Sequence, residues 1–162
     1  FEYSLNDQRF LIYHDYILKN KNIENIFMTD GNDVTIVNTP FNKFKGVCVG
    51  SELGNLNENS WIRNKSKNFN NNKYHFESNN KGLIYNAGIL GGNRKEVLHF
   101  LSNMKTVFYN LNEQQKKQNL NMIVFNYVVY NILNKKVITG GKLHSNFKKY
   151  ENHRKDVCFI HK

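Results

Sequence analysis

The sequence has few cysteines and no long apolar run. Cys48 and Cys158 are too few for a disulfide framework, and each lies in a short apolar segment. We therefore expect buried free thiols, in a soluble protein of a reducing compartment rather than a secreted one. No apolar stretch approaches the roughly 18 residues of a membrane-spanning helix, and no basic segment followed by an apolar one opens the sequence. Neither a membrane span nor a signal peptide is expected.

Acidic residues are scarce relative to basic ones. The chain has 13 Asp and Glu against 23 Lys and Arg, which gives a net charge of +10. That excess favours a phosphate-bearing partner, either nucleic acid or a nucleotide. The abundance of Asn, Lys, Ile, Tyr and Phe is also typical of AT-rich genes, so composition bias explains the charge equally well. Because the lysines form no single block and no nucleic-acid-binding motif occurs, nucleic acid is the less favoured partner.

The chain is long enough for one compact domain, in which helix and strand patterns alternate. Helices are predicted over 7–20, around Trp61, from Asn93 to Phe108 and over 121–133. Asp7 is the expected cap of the first helix, and a mobile loop is expected between Trp61 and Lys81. Strands are predicted at 26–29, 34–37, 46–50, 83–85, 137–139 and 157–160. The interleaving predicts an α/β fold with a mostly parallel sheet, in which ligands bind where strands end.

Two of these strand ends carry residues that bind metal ions in proteins. Asp30 and Asp33 follow the strand 26–29 on a tight turn, where two carboxylates can share a divalent cation. The alternative is a turn in which Asp30 caps its own backbone. His161 follows the last predicted strand, and a neutral imidazole commonly joins carboxylates around Mn²⁺-like ions. From the residues alone, a surface histidine is the favoured interpretation of His161.

A third strand end carries an amide and two small residues. Asn86, Ala87 and Gly88 follow the strand 83–85 and would let a ligand approach the backbone closely. A plain turn into the next helix is an equally good interpretation. No dinucleotide-binding, P-loop or serine-hydrolase motif occurs in the sequence.

Seven short motifs follow one another along the chain. They are Gln8-Arg9-Phe10, Phe27-Met28-Thr29-Asp30-Gly31-Asn32-Asp33-Val34, Pro40-Phe41, Val49-Gly50-Ser51-Glu52, Trp61, Tyr85-Asn86-Ala87-Gly88-Ile89-Leu90-Gly91-Gly92 and Phe159-Ile160-His161. This ordered set resembles the nucleotide-sugar glycosyltransferases of the GT-A fold. It is most similar to a subgroup whose acidic motif reads TD-x-x-DV followed by PF, and the resemblance covers most of the chain.

The resemblance implies a GT-A-like three-layer sandwich with a mostly parallel sheet, in a single domain over 1–162. Members usually begin with a strand and loop that hold the nucleotide base, so the domain is expected to be incomplete at its N-terminus. The implied activity is metal-dependent transfer of a sugar from a nucleotide-diphosphate donor to a hydroxyl acceptor. The acceptor is left open between a glycan, a protein and a lipid.

The resemblance also implies roles for particular residues. Mn²⁺ or Mg²⁺ is expected at Asp30, Asp33 and His161, and the donor at Arg9, Asp30, Asn86, Ala87 and Gly88. Glu52 is the nearest candidate base for the acceptor hydroxyl, with an exposed loop glutamate as the favoured alternative. Asn121 is a candidate catalytic residue because it stands where related enzymes usually carry Asp.

Three other functions remain open. A relative of the fold that binds carbohydrate or nucleotide without catalysis would also carry these motifs. A basic nucleic-acid-binding module would use the lysines and aromatic residues. A metal-dependent nuclease or phosphatase would use Asp30, Asp33 and His161 to hydrolyse phosphate esters without a sugar acceptor.

Overall fold

The computed structural model describes residues 2–69 and 81–162, so most of the predicted loop after Trp61 lies outside the described residues. The helices are α1 (Leu5–Lys19), α2 (Ser60–Ser66), α3 (Arg94–Tyr109), α4 (Glu113–Lys116) and α5 (Asn121–Tyr127), which continues into a π-helical turn (Val128–Ile132). The strands are β1 (Asn25–Thr29), β2 (Val34–Ile36), β3 (Cys48–Asn55), β4 (Leu83–Asn93) and β5 (Phe159–His161). None of the described helices is long and apolar enough to cross a membrane.

Both sheets are antiparallel, so the prediction of a GT-A-like three-layer sandwich with a mostly parallel sheet is wrong. β4 lies between β1 and β3 and is antiparallel to both, while β2 and β5 form a separate antiparallel pair. Within the described ranges, parallel pairing is limited to two isolated bridges, Cys48 to Ile138 and His144 to Phe159. Connections of crossover length permit a parallel pair but do not require one. Here the connection through α2 returns the chain beside β3 in the opposite direction.

β4 is longer than predicted, and both of its faces are covered. The strand continues from Leu83 through the expected turn at Asn86 to Gly88, and its buried positions are consecutive from Ile84 to Gly92. Leu90 packs into the larger hydrophobic core, while its neighbour Ile89 packs into a smaller cluster that joins the two sheets. Asn86, Gly88, Gly91 and Gly92 interrupt the apolar pattern, so the sequence favours a turn where the structure continues the strand.

A bulge interrupts β4 where the turn was predicted. Gly50 pairs with Asn86 and Val49 pairs with Leu90, so Ala87, Gly88 and Ile89 have no partner in β3. Other groups bind the freed backbone: the Gly88 N–H donates to Asn86 Oδ1 at 2.6 Å, and the Ala87 N–H donates to Met122 Sδ at 3.3 Å. Bulges of this kind redirect a strand and expose its backbone beside functional sites.

The predicted helices are present, but the first one is capped differently. Ser4 caps α1 by accepting a hydrogen bond from the Asp7 N–H at 3.3 Å. Asp7 itself is fully buried and accepts the Leu120 N–H at the start of α5. The predicted cap of α3 is confirmed, since Asn93 Oδ1 accepts the Glu96 N–H at 3.0 Å.

Several strand limits differ from the prediction in ways that affect the site. β3 extends to Asn55, so Glu52 lies inside a strand and not in an exposed loop. β5 includes His161, which is therefore a buried strand residue and not a surface histidine. The segment 137–139 forms only a single bridge, through Ile138. The two cysteines are buried and free, as predicted.

Candidate functional site

A pocket of about 360 Å³ opens beside the bulge in β4. Most of the residues predicted for the site line it, although they come from separate segments: Arg9, Asp30, Glu52, Asn86, Ala87, Gly88 and Asn121. Asp33 and His161 do not line this pocket.

The antiparallel register brings these segments together. Thr29, the last residue of β1, pairs with Ile89, so Asp30 lies beside Gly88 and donates its N–H to the Gly88 carbonyl at 2.9 Å. On the other side of β4, Gly50 pairs with Asn86. The polar residues therefore meet along the middle of β4, and not at a row of parallel strand ends.

Arg9 and Asp30 form the charged side of the pocket. The Arg9 guanidinium makes an ion pair with the Asp30 carboxylate and donates to the Ala87 carbonyl at 3.4 Å. Arg9 Nε is buried without a hydrogen-bond partner among the residues described. Guanidinium groups bind phosphate oxygens through paired N–H donors, but the Asp30 carboxylate already balances the charge of Arg9, so Nε is the donor left for a ligand.

Glu52 forms a second polar contact in the pocket. Its Oε1 accepts a hydrogen bond from Asn86 Nδ2 at 2.5 Å. Burial raises the pKa of the Glu52 carboxyl, against the opposing effects of the Asn86 hydrogen bond and the Lys148 charge. A carboxyl group with a raised pKa, held in one orientation, is suited to exchange a proton with a ligand.

His161 lies next to the pocket, behind Gly88 and Phe147. Its Nε2 is 2.9 Å from the position that a methyl group on Gly88 would take. Phe147 lines the pocket and packs on the imidazole, with 4.4 Å between the ring centroids. Burial lowers the pKa of His161 to about 4, even though the Asp30 and Asp33 carboxylates act to raise it. His161 is therefore neutral at neutral pH, the form that binds metal ions.

Asp33 reaches the same region through the smaller sheet. His161 pairs with Val34 across β2 and β5, and the Lys162 N–H donates to the Asp33 carbonyl at 2.7 Å. The backbone of the acidic turn and that of the last strand are thus adjacent.

A buried network holds β5 in this position. Ser145 Oγ accepts the His161 N–H at 2.9 Å. The neighbouring His144 accepts the Gly140 N–H at Nε2, at 2.9 Å, which leaves Nδ1 to donate to the Ser145 carbonyl at 2.7 Å. Thr139 Oγ1 also lies 2.9 Å from His144 Nε2. Sequence reasoning gave His144 no role, because no motif identifies these partners.

The candidate metal ligands fit a cation by chemistry, although they are not assembled as a complete set. In the part of the chain that the structure describes, no group of three or more His, Cys, Asp and Glu side chains is placed to hold a metal ion. His161 Nδ1 is buried without a partner in the same part of the chain. Mg²⁺ usually takes one or two carboxylates and completes its coordination with water and substrate phosphates. One or two of Asp30, Asp33 and His161 would therefore need water and substrate phosphates to complete the coordination of such an ion.

Sequence reasoning assigned no site role to half of the lining residues. These are Asn59, Trp61, Ile62, Asn119, Met122, Phe147 and Lys148. Trp61 belongs to the ordered set of motifs, but no motif gives it a role of its own. Lys148 has a φ of 59°, in the left-handed region that few residues other than glycine adopt. Four further residues with positive φ do not line the pocket, so this backbone conformation does not by itself mark the site: Asn42, Asn134, Lys135 and Tyr150.

No protein-family model matches the chain, and a comparison with curated proteins finds no match. The chemistry of the pocket therefore has to be inferred from its own residues and their arrangement.

Proposed function

We propose that the protein is a metal-dependent glycosyltransferase that moves a sugar from a nucleotide-diphosphate donor to a hydroxyl acceptor. The observation that supports this most strongly is the lining of the pocket. Residues assigned to donor binding or catalysis from separate motifs lie around one cavity of about 360 Å³.

Arg9 and the bulge in β4 form the proposed donor site. Arg9 binds the diphosphate, since its guanidinium carries a buried N–H without a partner among the residues in the described ranges. Ala87 and Gly88 carry little or no side chain, so the donor sugar can approach the backbone at the bulge. Asn86 contributes a side-chain amide to the same wall of the pocket.

Asp30, Asp33 and His161 would hold Mn²⁺ or Mg²⁺, with donor diphosphate oxygens supplying further ligands. When bound, the ion would neutralise the negative charge that grows on the departing diphosphate. His161 needs no deprotonation for this role at neutral pH, because burial already keeps it neutral.

Glu52 is the proposed base. The acceptor oxygen forms a bond to the anomeric carbon, and the bond from that carbon to the diphosphate oxygen breaks. The nucleoside diphosphate leaves with the electron pair, and the acceptor proton passes to Glu52. The hydrogen bond from Asn86 orients the Glu52 carboxyl. Asn121 orients a ligand and does not take a proton, because an amide is not basic.

Thermal unfolding with Mn²⁺, UDP and GDP tests the proposal. Mn²⁺ and the preferred nucleotide together should raise the melting temperature more than the sum of their separate effects, because each helps to hold the other. Asp33→Ala should abolish this joint effect. Asp156→Ala is the control, since Asp156 is exposed and pairs with Arg154 away from the pocket.

Two results would count against the proposal. If Asp33→Ala keeps the joint effect of Mn²⁺ and nucleotide, Asp33 is not a metal ligand. The absence of any stabilisation by either nucleotide, with and without Mn²⁺, would reject the donor site as a whole.

The amide at Asn121 favours one second candidate, a protein that binds the nucleotide sugar without transferring it. A panel of nucleotide sugars, assayed for release of free nucleoside diphosphate, separates the two. A transferase releases the diphosphate at a rate that increases with enzyme concentration, whereas a silent relative shows only the stabilising effect of binding.

A further inference from the structure

Trp61 is exposed at the mouth of the pocket, where an indole ring is costly to leave in water. It is the one tryptophan of the chain, and 41% of its surface is exposed. The next residue, Ile62, is 1% exposed and packs into the core, so burial of α2 does not require Trp61. Large exposed aromatic side chains beside a pocket are typical of ligand-binding surfaces.

Local structure holds the indole in place. Asn59 caps α2 by accepting the Ile62 N–H at 3.0 Å, which fixes the first turn that carries Trp61. The Lys65 ammonium, one turn further along, lies 5.9 Å from the centre of the indole ring. Trp61 is thus presented to the pocket on an ordered helix and not on a loop.

Side-chain amides and a carboxyl group line the pocket with the indole. Asn59, Asn119 and Asn121 all contribute to the wall, and Glu52 lies in the same cavity. Asn119 Oδ1 is buried and has no hydrogen-bond partner within residues 2–69 and 81–162. A buried acceptor without a donor is unfavourable, and a ligand that donates a hydrogen bond to Asn119 removes this cost.

This combination matches the chemistry of a sugar ring. A pyranose has one apolar face of C–H groups, which packs on an aromatic ring, and a rim of hydroxyl groups that donate and accept hydrogen bonds. Amides and carboxylates are suited to that rim. A lipid chain would need a continuous aliphatic wall, and among the residues that the structure describes the pocket offers only Ile62, Ala87 and Met122 as aliphatic ones.

We propose that Trp61 is the stacking platform for a carbohydrate acceptor, so that the acceptor hydroxyl belongs to a glycan and not to a lipid or a protein side chain. The inference rests on the proposed function, because it assigns the acceptor part of the same pocket. Glu52 and the indole lie in one cavity, so a sugar that stacks on Trp61 has its hydroxyl rim beside the proposed base.

The fluorescence of Trp61 gives a direct test, since no other tryptophan contributes to the emission. The full chain is titrated with methyl glycosides and disaccharides of hexoses and N-acetylhexosamines, with and without saturating UDP or GDP and Mn²⁺. We expect at least one saccharide to shift the emission to shorter wavelength in a saturable way, because stacking removes the indole from water.

Variants locate the saccharide on Trp61. Trp61→Ala should weaken the binding of the same saccharide about tenfold or more, as measured by saturation-transfer NMR, and Trp61→Phe should retain part of the affinity. Tyr109→Ala is the matched control. Tyr109 is another exposed helical aromatic residue, and the Lys105 ammonium lies 5.5 Å from its ring centre. It does not line the pocket, so its removal should leave saccharide affinity unchanged.

Different results overturn different assignments. If no saccharide shifts the emission in the presence of nucleotide, or if Trp61→Ala binds as tightly as the wild type, the acceptor platform is wrong. A shift produced by nucleotide alone, with no further change on addition of saccharide, places the nucleotide base on Trp61 and also overturns it. Saccharide binding at Trp61 without any nucleotide binding rejects the transferase and leaves the carbohydrate subsite in place.

Discussion

At the scale of single residues, Gly88 is the position on which the site depends most. A methyl group there would lie 2.8 Å from Asn86 Oδ1 and 2.9 Å from His161 Nε2. The same residue accepts the Asp30 N–H through its carbonyl and donates its own N–H to Asn86. One small residue therefore keeps the acidic turn, the amide and the imidazole close together.

Gly88→Ala should disrupt this arrangement, because either Asn86 or His161 must move to make room. We expect the free energy of unfolding to fall by about 1–3 kcal/mol, as for other overpacked sites, and the joint stabilisation by Mn²⁺ and nucleotide to disappear. Urea unfolding and the thermal assay measure the two effects. Gly31→Ala is the control, since nothing lies within 4 Å of a methyl group at Gly31. Equal behaviour of the two variants would show that the close packing around Gly88 is unimportant.

At the scale of elements, Asp7 links α1 to the start of α5 and so helps to position Asn121. The Asp7 carboxylate accepts the Leu120 N–H at 3.0 and 3.2 Å. Burial raises the pKa of Asp7 from 3.8 to about 6. Since folding disfavours the charged carboxylate, its contribution to stability is fully present below about pH 4 and is lost as the pH rises through 6.

Asp7→Asn should remove this loss of stability with rising pH, because an amide oxygen can still accept the Leu120 N–H without carrying charge. We expect the variant to be more stable than the wild type by about 1–3 kcal/mol at neutral pH and to lack the decline between pH 4 and 6. Urea unfolding across this pH range provides the measurement. Asp15→Asn, at an exposed carboxylate that pairs with Lys105, should bring no gain at neutral pH. A decline that persists in Asp7→Asn would assign the pH dependence to another group.

The elements also show what the sequence could and could not predict. Asp30, Asn86 and Gly88 could be predicted as site residues because each belongs to a short motif. The antiparallel register of the strands still brings them together. The direction of the strands could not be found, since segment lengths are compatible with both directions. Phe147 and Lys148 could not be found either. Their place in the pocket depends on the loop before β5 and on a left-handed backbone at Lys148, which no residue type there indicates.

At the scale of the whole molecule, a net charge of +10 attracts any anion. Binding at a local site differs from this long-range attraction, because the affinity for the anion then depends on one particular lysine more than on its neighbours. Lys148 lines the pocket, and its charge acts on Glu52. Lys149 is also exposed but is not among the residues that line the pocket. Comparing substitutions of Lys148 and Lys149 therefore distinguishes binding in the pocket from long-range attraction.

Lys148→Gln and Lys149→Gln remove the same charge, so they weaken the overall field equally. If the pocket binds the donor diphosphate, Lys148→Gln should reduce the affinity for the nucleotide with Mn²⁺ about fivefold to tenfold, the loss of one charge-assisted hydrogen bond. Lys149→Gln should stay within about twofold, because an exposed charge is largely screened. Calorimetric titration at low and at high salt measures both effects, and the difference between the variants should persist at high salt. Equal losses that vanish together at high salt would indicate nonspecific attraction, as expected for a basic nucleic-acid-binding module.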